Sequence, residues 1–226
     1  MRQNLTMRDW LRNWLRTGDL LAVASIVLLI AMQAVAGQWF PPPISVSQYG
    51  IGPWGWIFSL WAVSVSLSPW CLERAFPQRG WRPAVSRGLL RVGVVGAFVM
   101  AAVRTQAGGA QATWNAKVHM VGSILALGCL PLGITAALWG LGRFWRRIGL
   151  IELTAVAVSL ALLLYAAAGY DTAGMGAPRS WAFWQMVAVI VSTVLILTLS
   201  AATHDASTRH MSDHTSPEVI GSSPRS

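Results

Sequence analysis

The sequence predicts an all-α fold, a polytopic transmembrane helical bundle with about six membrane-spanning helices and both termini in the cytoplasm. Of the 226 residues, 54% are hydrophobic and only 11% are charged, whereas an ordinary soluble domain is about 25% charged. Six apolar runs account for this composition, and each is close to the length of about 20 residues that a bilayer requires. Basic residues concentrate in alternate connections between the runs, which predicts the orientation of the bundle.

The apolar runs together define a predicted transmembrane domain over residues 20–202. They lie at residues 20–35, 54–70, 89–103, 118–141, 148–168 and 181–202. The fourth run contains Pro131, which predicts a kink because proline lacks a backbone N–H donor. Many of the tryptophans fall near the ends of runs. An indole combines an apolar body with one polar N–H, so this distribution is typical of a membrane-interface belt.

Two polar segments flank the transmembrane domain. Residues 1–19 form a predicted cytoplasmic amphipathic segment, with apolar residues on one helical face and arginines mostly on the other. The apolar residues are Trp10, Leu11, Trp14 and Leu15. Residues 203–226 are rich in Ser, Thr, Asp, His and Pro, which predicts a disordered cytoplasmic tail. The three histidines of this tail match no metal-ligand spacing.

The orientation follows from the distribution of basic residues. Fourteen of the 17 Lys and Arg residues project to the side of the membrane that holds both termini, and Arg104, Lys117 and Arg179 project to the other side. The positive-inside rule places the fourteen in the cytoplasm. Lys117 is the single lysine in the chain, and this preference for arginine indicates a GC-rich bacterial genome. We therefore expect a multi-pass protein of the bacterial cytoplasmic (inner) membrane.

An alternative topology starts from cleavage of the first run. The sequence Ala34-Val35-Ala36-Gly37 follows a basic segment and an apolar run, as at a signal-peptidase site. Cleavage after Ala36 would leave five spans and place the N-terminus outside. The preceding segment is longer than that of an ordinary signal peptide and has its own amphipathic pattern, which favours retention of the first helix.

Several classes of function have no support in the sequence. The net charge of +9 comes from arginines between apolar runs rather than from one basic face, so nucleic-acid binding is not expected. Cys71 and Cys129 form no ligand spacing, and no metal site or cofactor is expected. The sequence also contains no known short motif for catalysis or for phosphate binding.

Polar residues gather instead on the predicted extracytoplasmic side, where they form a candidate site. The candidate catalytic residues are His119, Asp171 and Tyr49. The candidate substrate-binding residues are Arg104, Ser45, Gln48, Asn115 and Gln185. His119 is the one histidine outside the tail and lies near the membrane boundary, where a neighbouring charge would tune its pKa. A structural alternative is that Arg104 and Asp171 pair while His119 caps or bridges helices.

Glu152 is a second candidate, for proton coupling. It is the one carboxylate inside an apolar run, and ionisable residues at membrane depth are commonly functional. It also lies near the start of a predicted helix that follows Arg146 and Arg147, where the helix dipole and the two arginines would stabilise an acid. Both interpretations are retained.

One stretch of the chain resembles a known family. The residues Ile44-Ser45-Val46-Ser47-Gln48-Tyr49-Gly50-Ile51-Gly52-Pro53-Trp54-Gly55-Trp56 resemble the first outer loop of a bacterial six-helix membrane family catalogued as domain of unknown function 998. His119, at the start of the fourth helix, fits the same resemblance, which covers about residues 20–202. Many members carry an acidic residue where this chain has Gln48, and a proline and an aspartate near the position of Arg104. The resemblance implies the six-helix architecture and implies no activity.

Two functional hypotheses of different classes follow. The first is an accessory, transport or envelope and lipid-handling protein, favoured by the short loops and the lack of catalytic motifs. The alternative is a membrane-embedded enzyme acting on a lipid or isoprenoid substrate at an extracytoplasmic pocket. A proton-coupled carrier that uses Glu152 ranks third. The expected partners are membrane lipids and, for the enzyme, a hydrophobic small molecule; no expectation is formed for the oligomeric state.

Overall fold

The computed structural model describes residues 7–37, 44–75, 81–103 and 113–213. Within these residues the regular structure is helical throughout, with six α-helices and one short 3-10 helix between the first two. The elements are α1 (Met7–Ala36), the 3-10 helix (Val46–Gly50), α2 (Gly55–Arg74), α3 (Trp81–Ala102), α4 (Trp114–Trp139), α5 (Arg143–Ala167) and α6 (Ala177–Asp213). Each α-helix contains a stretch long and apolar enough to cross a bilayer. The prediction of an all-α bundle with six membrane-spanning helices is confirmed, and the orientation of its ends stays a prediction.

The helix ends differ from the sequence-based boundaries at both termini. Helix α1 begins at Met7, so the amphipathic N-terminal segment continues into the first span without a break. Helix α6 extends to Asp213, past residue 203, where the sequence predicts a disordered tail. Tertiary contacts explain this extension. Asp205 accepts a hydrogen bond from Trp145 Nε1 of α5 at 3.0 Å and pairs with Arg209 one turn later. Residues 214–226 lie outside the described residues.

Consecutive helices run antiparallel. Gly18 near the start of α1 packs against Leu72 near the end of α2, and Ser59 at the start of α2 donates to the carbonyl of Ala101 at the end of α3 at 2.9 Å. We call the end of the bundle at which α1 begins and α6 ends the basic end, because its arginines include Arg74, Arg87 and Arg146. The other end, which carries the 3-10 helix, is called the opposite end.

The contact between α3 and α4 depends on glycine. A Cβ atom on Gly96 would lie 2.7 Å from the carbonyl oxygen of Gly122, and one on Gly122 would lie 2.8 Å from that of Gly96. Gly133 packs in the same way against Leu90 of α3, whereas Gly128 faces open space. In a bilayer, helices associate through packing and hydrogen bonds because the lipid tails are as apolar as the side chains. The two facing glycines therefore set how closely α3 and α4 approach.

An ion pair joins α2 to α3 at the basic end. Arg87 Nε donates to both carboxylate oxygens of Glu73, at 3.0 and 3.2 Å. The Glu73 side chain is fully buried, and that of Arg87 is 35% exposed. Glu73 follows the second apolar run rather than lying within it, so hydropathy alone gives no sign of its burial. Hydrogen bonds also connect α1 to α6. Asp19 accepts a hydrogen bond from the Ser200 hydroxyl at 2.6 Å and contacts His204 Nε2 at 2.9 Å.

We expect Gly96→Ala to destabilise the bundle, because the new methyl group would overlap the Gly122 carbonyl and force α3 and α4 apart. The expected loss of unfolding free energy is about 1–3 kcal/mol, as for other overpacked interiors. The matched control is Gly128→Ala, which adds the same methyl group in open space and should leave stability unchanged or raise it. Denaturant unfolding in detergent, followed by circular dichroism, measures both. Equal losses in the two variants would contradict the assigned contact.

The Glu73–Arg87 pair gives a second prediction. Glu73→Ala or Arg87→Ala alone leaves one charge without its partner, and we expect each to cost about 3 kcal/mol, the lower part of the range for a broken buried pair because Arg87 is partly exposed. The double variant Glu73→Leu/Arg87→Met replaces the pair with apolar side chains and should lie within about 1 kcal/mol of the native protein. The same unfolding assay checks all three, and a double variant as unstable as the single ones would refute the pairing.

Candidate functional site

A partly open pocket lies at the opposite end of the bundle, between the end of α1, the 3-10 helix and the start of α2. Its volume is about 170 Å³. The described residues that line it are Met32, Val35, Ala36, Ile44, Gln48, Tyr49, Ile51, Trp54 and Ile57. We call it the α1–α2 pocket. Apolar side chains form most of the lining, and none of the described lining residues is charged.

The 3-10 helix holds the polar edge of this pocket. Gln48 Oε1 accepts hydrogen bonds from the backbone N–H of Ser45 at 2.8 Å and from the Ser45 hydroxyl at 3.2 Å. The hydroxyls of Ser45 and Ser47 lie 3.1 Å apart. These contacts close the segment on itself, as in a helix capping box. The Gln48 side chain is exposed, and its Nε2 amide forms no hydrogen bond with the described residues. One donor group is thus available at the pocket.

Tyr49 lines the pocket and is only 6% exposed. Its hydroxyl is buried and has no hydrogen-bond partner among the described residues. Burial raises the pKa of the Tyr49 phenol above its ordinary value of 10.0, because the charged form loses solvation. The phenol is therefore neutral at physiological pH and does not act as a base. The neighbouring Gly50 allows close packing, since a Cβ there would lie 3.2 Å from the Phe58 ring.

His119 lies one packing layer away from the pocket. Its ring centroid is 6.0 Å from that of Phe58, the residue that also contacts Gly50. His119 Nδ1 lies 2.7 Å from the carbonyl oxygen of Val103, just beyond the end of α3. Because a carbonyl only accepts, Nδ1 carries the proton of this bond. His119 thereby satisfies a carbonyl at a helix terminus, while its Nε2 is buried without a partner among the described residues.

Asp171 organises the connection between α5 and α6. Its Oδ1 accepts from the Ser180 hydroxyl at 2.6 Å and from the N–H groups of Met175 and Ala173, and its Oδ2 accepts from the N–H of Gly176 at 2.8 Å. The Ser180 hydroxyl, followed by the Gly176 N–H, lowers the pKa of Asp171 from 3.8 to about 2. All its described hydrogen bonds remain within its own loop and the first turn of α6, and none reaches His119.

The remaining candidate residues are dispersed. Asn115 is exposed on the first turn of α4, and Gln185 is buried in α6 with its Oε1 unpartnered among the described residues. Glu152 Oε1 accepts from the Thr198 hydroxyl of α6 at 2.7 Å, while Oε2 is buried without a described partner. Arg104 lies outside the described residues. The structure thus brings Gln48 and Tyr49 together at one pocket, with Ser45 bonded to Gln48. The roles assigned to these candidates stay predictions.

Sequence reasoning did not identify the apolar lining of the pocket. The signal was partly present, because Ile44, Ile51 and Trp54 belong to the same family-like segment as Gln48. The candidate site residues of that segment are polar, however, whereas the pocket is mainly apolar. Met32 and Ile57 come from two different helices, so only the tertiary contact brings them together. Among the described residues, no three His, Cys, Asp or Glu side chains gather in a way that could hold a metal ion.

Comparison with known families gives one match. A family model described as "Protein of unknown function (DUF998)" matches residues 20–202 of the chain. This span covers the six apolar runs and the pocket. Comparison with curated proteins and with solved structures gave no match.

The Asp171 loop gives a testable prediction. Asp171→Ala removes the acceptor for three backbone N–H groups, so amide hydrogen exchange at Ala173, Met175 and Gly176 should accelerate, whereas Asp171→Asn, which keeps one acceptor oxygen, should accelerate it less. Thr172→Ala is the control within the same loop, because its hydroxyl accepts from Trp184 rather than from these amides.

The same loop has an expected pH dependence. The folded-state pKa of Asp171, about 2, lies below the ordinary 3.8, so its contribution to stability is complete above about pH 4 and is lost as the pH falls through 2. Spectroscopy of the stacked Tyr165 and Tyr170 rings next to the loop follows this transition. Loss of loop order in the native protein already at pH 5 would contradict the assignment.

Proposed function

This chain belongs to the DUF998 family of membrane proteins of unknown function, and on that premise we propose that it is a lipid-handling protein that binds the hydrophobic chain of a membrane lipid in the α1–α2 pocket. The observation that carries the proposal is the pocket itself, which has an apolar wall, an uncharged polar edge and an opening at the end of two membrane-spanning helices.

The chemistry of the lining favours a neutral, apolar occupant. The polar lining residues in the described part of the chain are Gln48 and Tyr49, and neither carries a charge at physiological pH. Ligand sites are commonly apolar with a few polar groups that fix orientation. The Gln48 amide, which has no partner among the described residues, can donate to the polar part of a lipid near its glycerol or head group, while Ile44, Ile51 and Ile57 contact its chain.

The size of the pocket favours a chain segment over an enclosed molecule. At about 170 Å³ it is smaller than the roughly 300–1,000 Å³ of a site that surrounds a small-molecule ligand. A lipid inserting part of one chain would leave the remainder in the bilayer. Because lipid tails are already apolar, this insertion gains packing and a polar contact rather than release from water.

The pocket wall also continues onto the lipid-facing surface. Val35 lines the pocket and is exposed, as are Ile30 and Val27 farther along α1. Ile51 and Trp54 are exposed on the other wall. A lipid chain lying along α1 therefore reaches the pocket without crossing a polar barrier. If the positive-inside orientation holds, this opening lies in the outer leaflet of the bacterial cytoplasmic membrane.

Binding is better supported than catalysis by the positions of the candidate residues. An enzyme built from His119, Asp171 and Tyr49 requires these side chains to converge on one substrate. Among the described hydrogen bonds, those of Asp171 remain in its own loop, His119 bonds to the end of α3, and Tyr49 has a neutral phenol. No contact among the described residues brings these three side chains together.

Photoaffinity labelling tests the proposal. Protein reconstituted in phosphatidylcholine containing a lipid with a photoactivatable acyl chain should be labelled at Met32, Trp54 and Ile57 more strongly than at the open lipid-facing residues Val27 and Ile30. Ala36→Phe fills the pocket mouth and should reduce pocket labelling to the level of that open surface. The matched control is Ala167→Phe, at the last residue of α5 at the same end of the bundle, which should change nothing. Uniform labelling of all apolar surfaces in the native protein would refute lipid binding at this pocket.

A further inference from the structure

We propose that Arg74, Arg87 and Arg91 form a binding site for the phosphate group of an anionic phospholipid at the basic end of the bundle. This site lies at the other end from the α1–α2 pocket and does not depend on it. It combines a charge excess, arginines held in place by other residues, and a position at the membrane boundary.

Glu73 positions the central arginine. Its buried carboxylate accepts both hydrogen bonds from Arg87 Nε, so the two terminal nitrogens of that guanidinium are left without a described partner. The terminal fork of a guanidinium matches two oxygens of one phosphate, and the bonds at Nε limit how Arg87 can move. Glu73 is thus a positioning residue for this site and makes no contact with the lipid.

Arg74 is positioned by stacking. Its guanidinium carbon lies 5.4 Å from the centroid of the Trp70 ring, and the side chain makes no hydrogen bond or ion pair with the described residues. Its Nε is buried without a partner. A buried arginine donor with no acceptor is costly, and a phosphate oxygen is the acceptor that arginine binds most strongly.

Arg91 completes the cluster. It lies four residues after Arg87 on α3, on the same helix face, and it is exposed. Arg87 pairs with Glu73, Arg74 is the chain neighbour of Glu73, and Arg91 lies one turn beyond Arg87. Three positive charges thus stand near one negative charge, and we expect the excess to attract an anion.

The cluster lies where lipid phosphates lie. Arg74 is the last residue of the α2 span. In the α3 span, which begins at Pro83, Arg87 lies in the second turn and Arg91 in the third. Trp70, under Arg74, is an aromatic residue typical of the interface. Basic groups between helices at this depth favour an anionic lipid head group over a soluble anion, because the lipid is already concentrated at the surface.

Native mass spectrometry of the purified full-length protein, titrated with phosphatidylglycerol or with phosphatidylcholine of the same chains, tests the proposal. The native protein should bind phosphatidylglycerol more tightly. The double variant Arg74→Gln/Arg91→Gln should weaken phosphatidylglycerol binding by on the order of fivefold for each arginine neutralised. Arg91→Gln alone should show about half of this effect on a logarithmic scale. Arg91 is exposed, so this single substitution does not put folding at risk. Binding of phosphatidylcholine should not change.

The matched control is Arg146→Gln. Arg146 lies at the same end and stacks on Trp139 at the same 5.4 Å, but the ion pair near it, between Arg209 and Asp205, is exposed, unlike the pair between Arg87 and the buried Glu73. Its replacement should leave phosphatidylglycerol binding intact. An equal loss with Arg146→Gln would show a general surface charge and overturn the site. Equal binding of both lipids to the native protein would overturn it as well.

Two further measurements distinguish a lipid head group from a soluble phosphate compound, and this site from the α1–α2 pocket. Inorganic phosphate at millimolar concentration should not displace phosphatidylglycerol; displacement that depends on Arg74 and Arg91 would assign the site to a soluble phosphate compound instead. Photolabelling of the α1–α2 pocket should be unchanged in Arg74→Gln/Arg91→Gln. The two proposals therefore succeed or fail separately.

Discussion

The close contact between Gly96 and Gly122 sets the geometry on which much of the bundle depends. A Cβ atom on either glycine would overlap the carbonyl oxygen of the other. Because the two backbones are this close, α3 and α4 have one register. This register brings His119, one turn before Gly122, to the carbonyl of Val103 at one end. It also brings Ser86 to the carbonyl of Gly133 at the other end, at 3.0 Å. The start of α3 is therefore fixed, and with it the position from which Arg87 reaches Glu73 of α2.

Several polar groups at membrane depth pair across helices in the described part of the bundle, whereas others, such as Gln185 Oε1, have no described partner. A polar atom in hydrocarbon has no water to bond, so its partner must come from another helix or from its own backbone. Glu73 with Arg87 joins α2 to α3, Glu152 with Thr198 joins α5 to α6, and Asp19 with Ser200 joins α1 to α6. These pairs fix the order of the helices. Glu152, the proton-coupling candidate of the sequence, makes one of these interhelical contacts, whereas Asp171 bonds within its own loop and the first turn of α6.

The two ends of the bundle have complementary surface chemistry for a membrane lipid. The opposite end presents a neutral, mostly apolar pocket with one amide donor, suited to a chain and its glycerol region. The basic end presents arginines held by Glu73 and Trp70, suited to a phosphate. The asymmetry of charge that predicts the orientation of the chain thus also separates the two proposed modes of lipid recognition. Each uses residues that a search for catalytic motifs does not select.

The number of spans and the helical class could be predicted from the sequence, because the bilayer imposes a length and an apolar composition on every spanning helix. The clustering of basic residues at one end of the bundle followed from the same alternation of spans. Family membership could be recognised as well, from the segment around Gln48 and Tyr49. The partners of polar side chains could not be predicted. Asp171 and His119 looked alike as boundary residues, yet one closes its own loop and the other satisfies the end of α3. Glu73 and the pocket-lining Met32 and Ile57 became apparent only in the fold, since hydropathy carries no information on which helix faces which. Helix pairing is decided by close packing at positions such as Gly96 and Gly122, and this packing is a property of the assembled bundle.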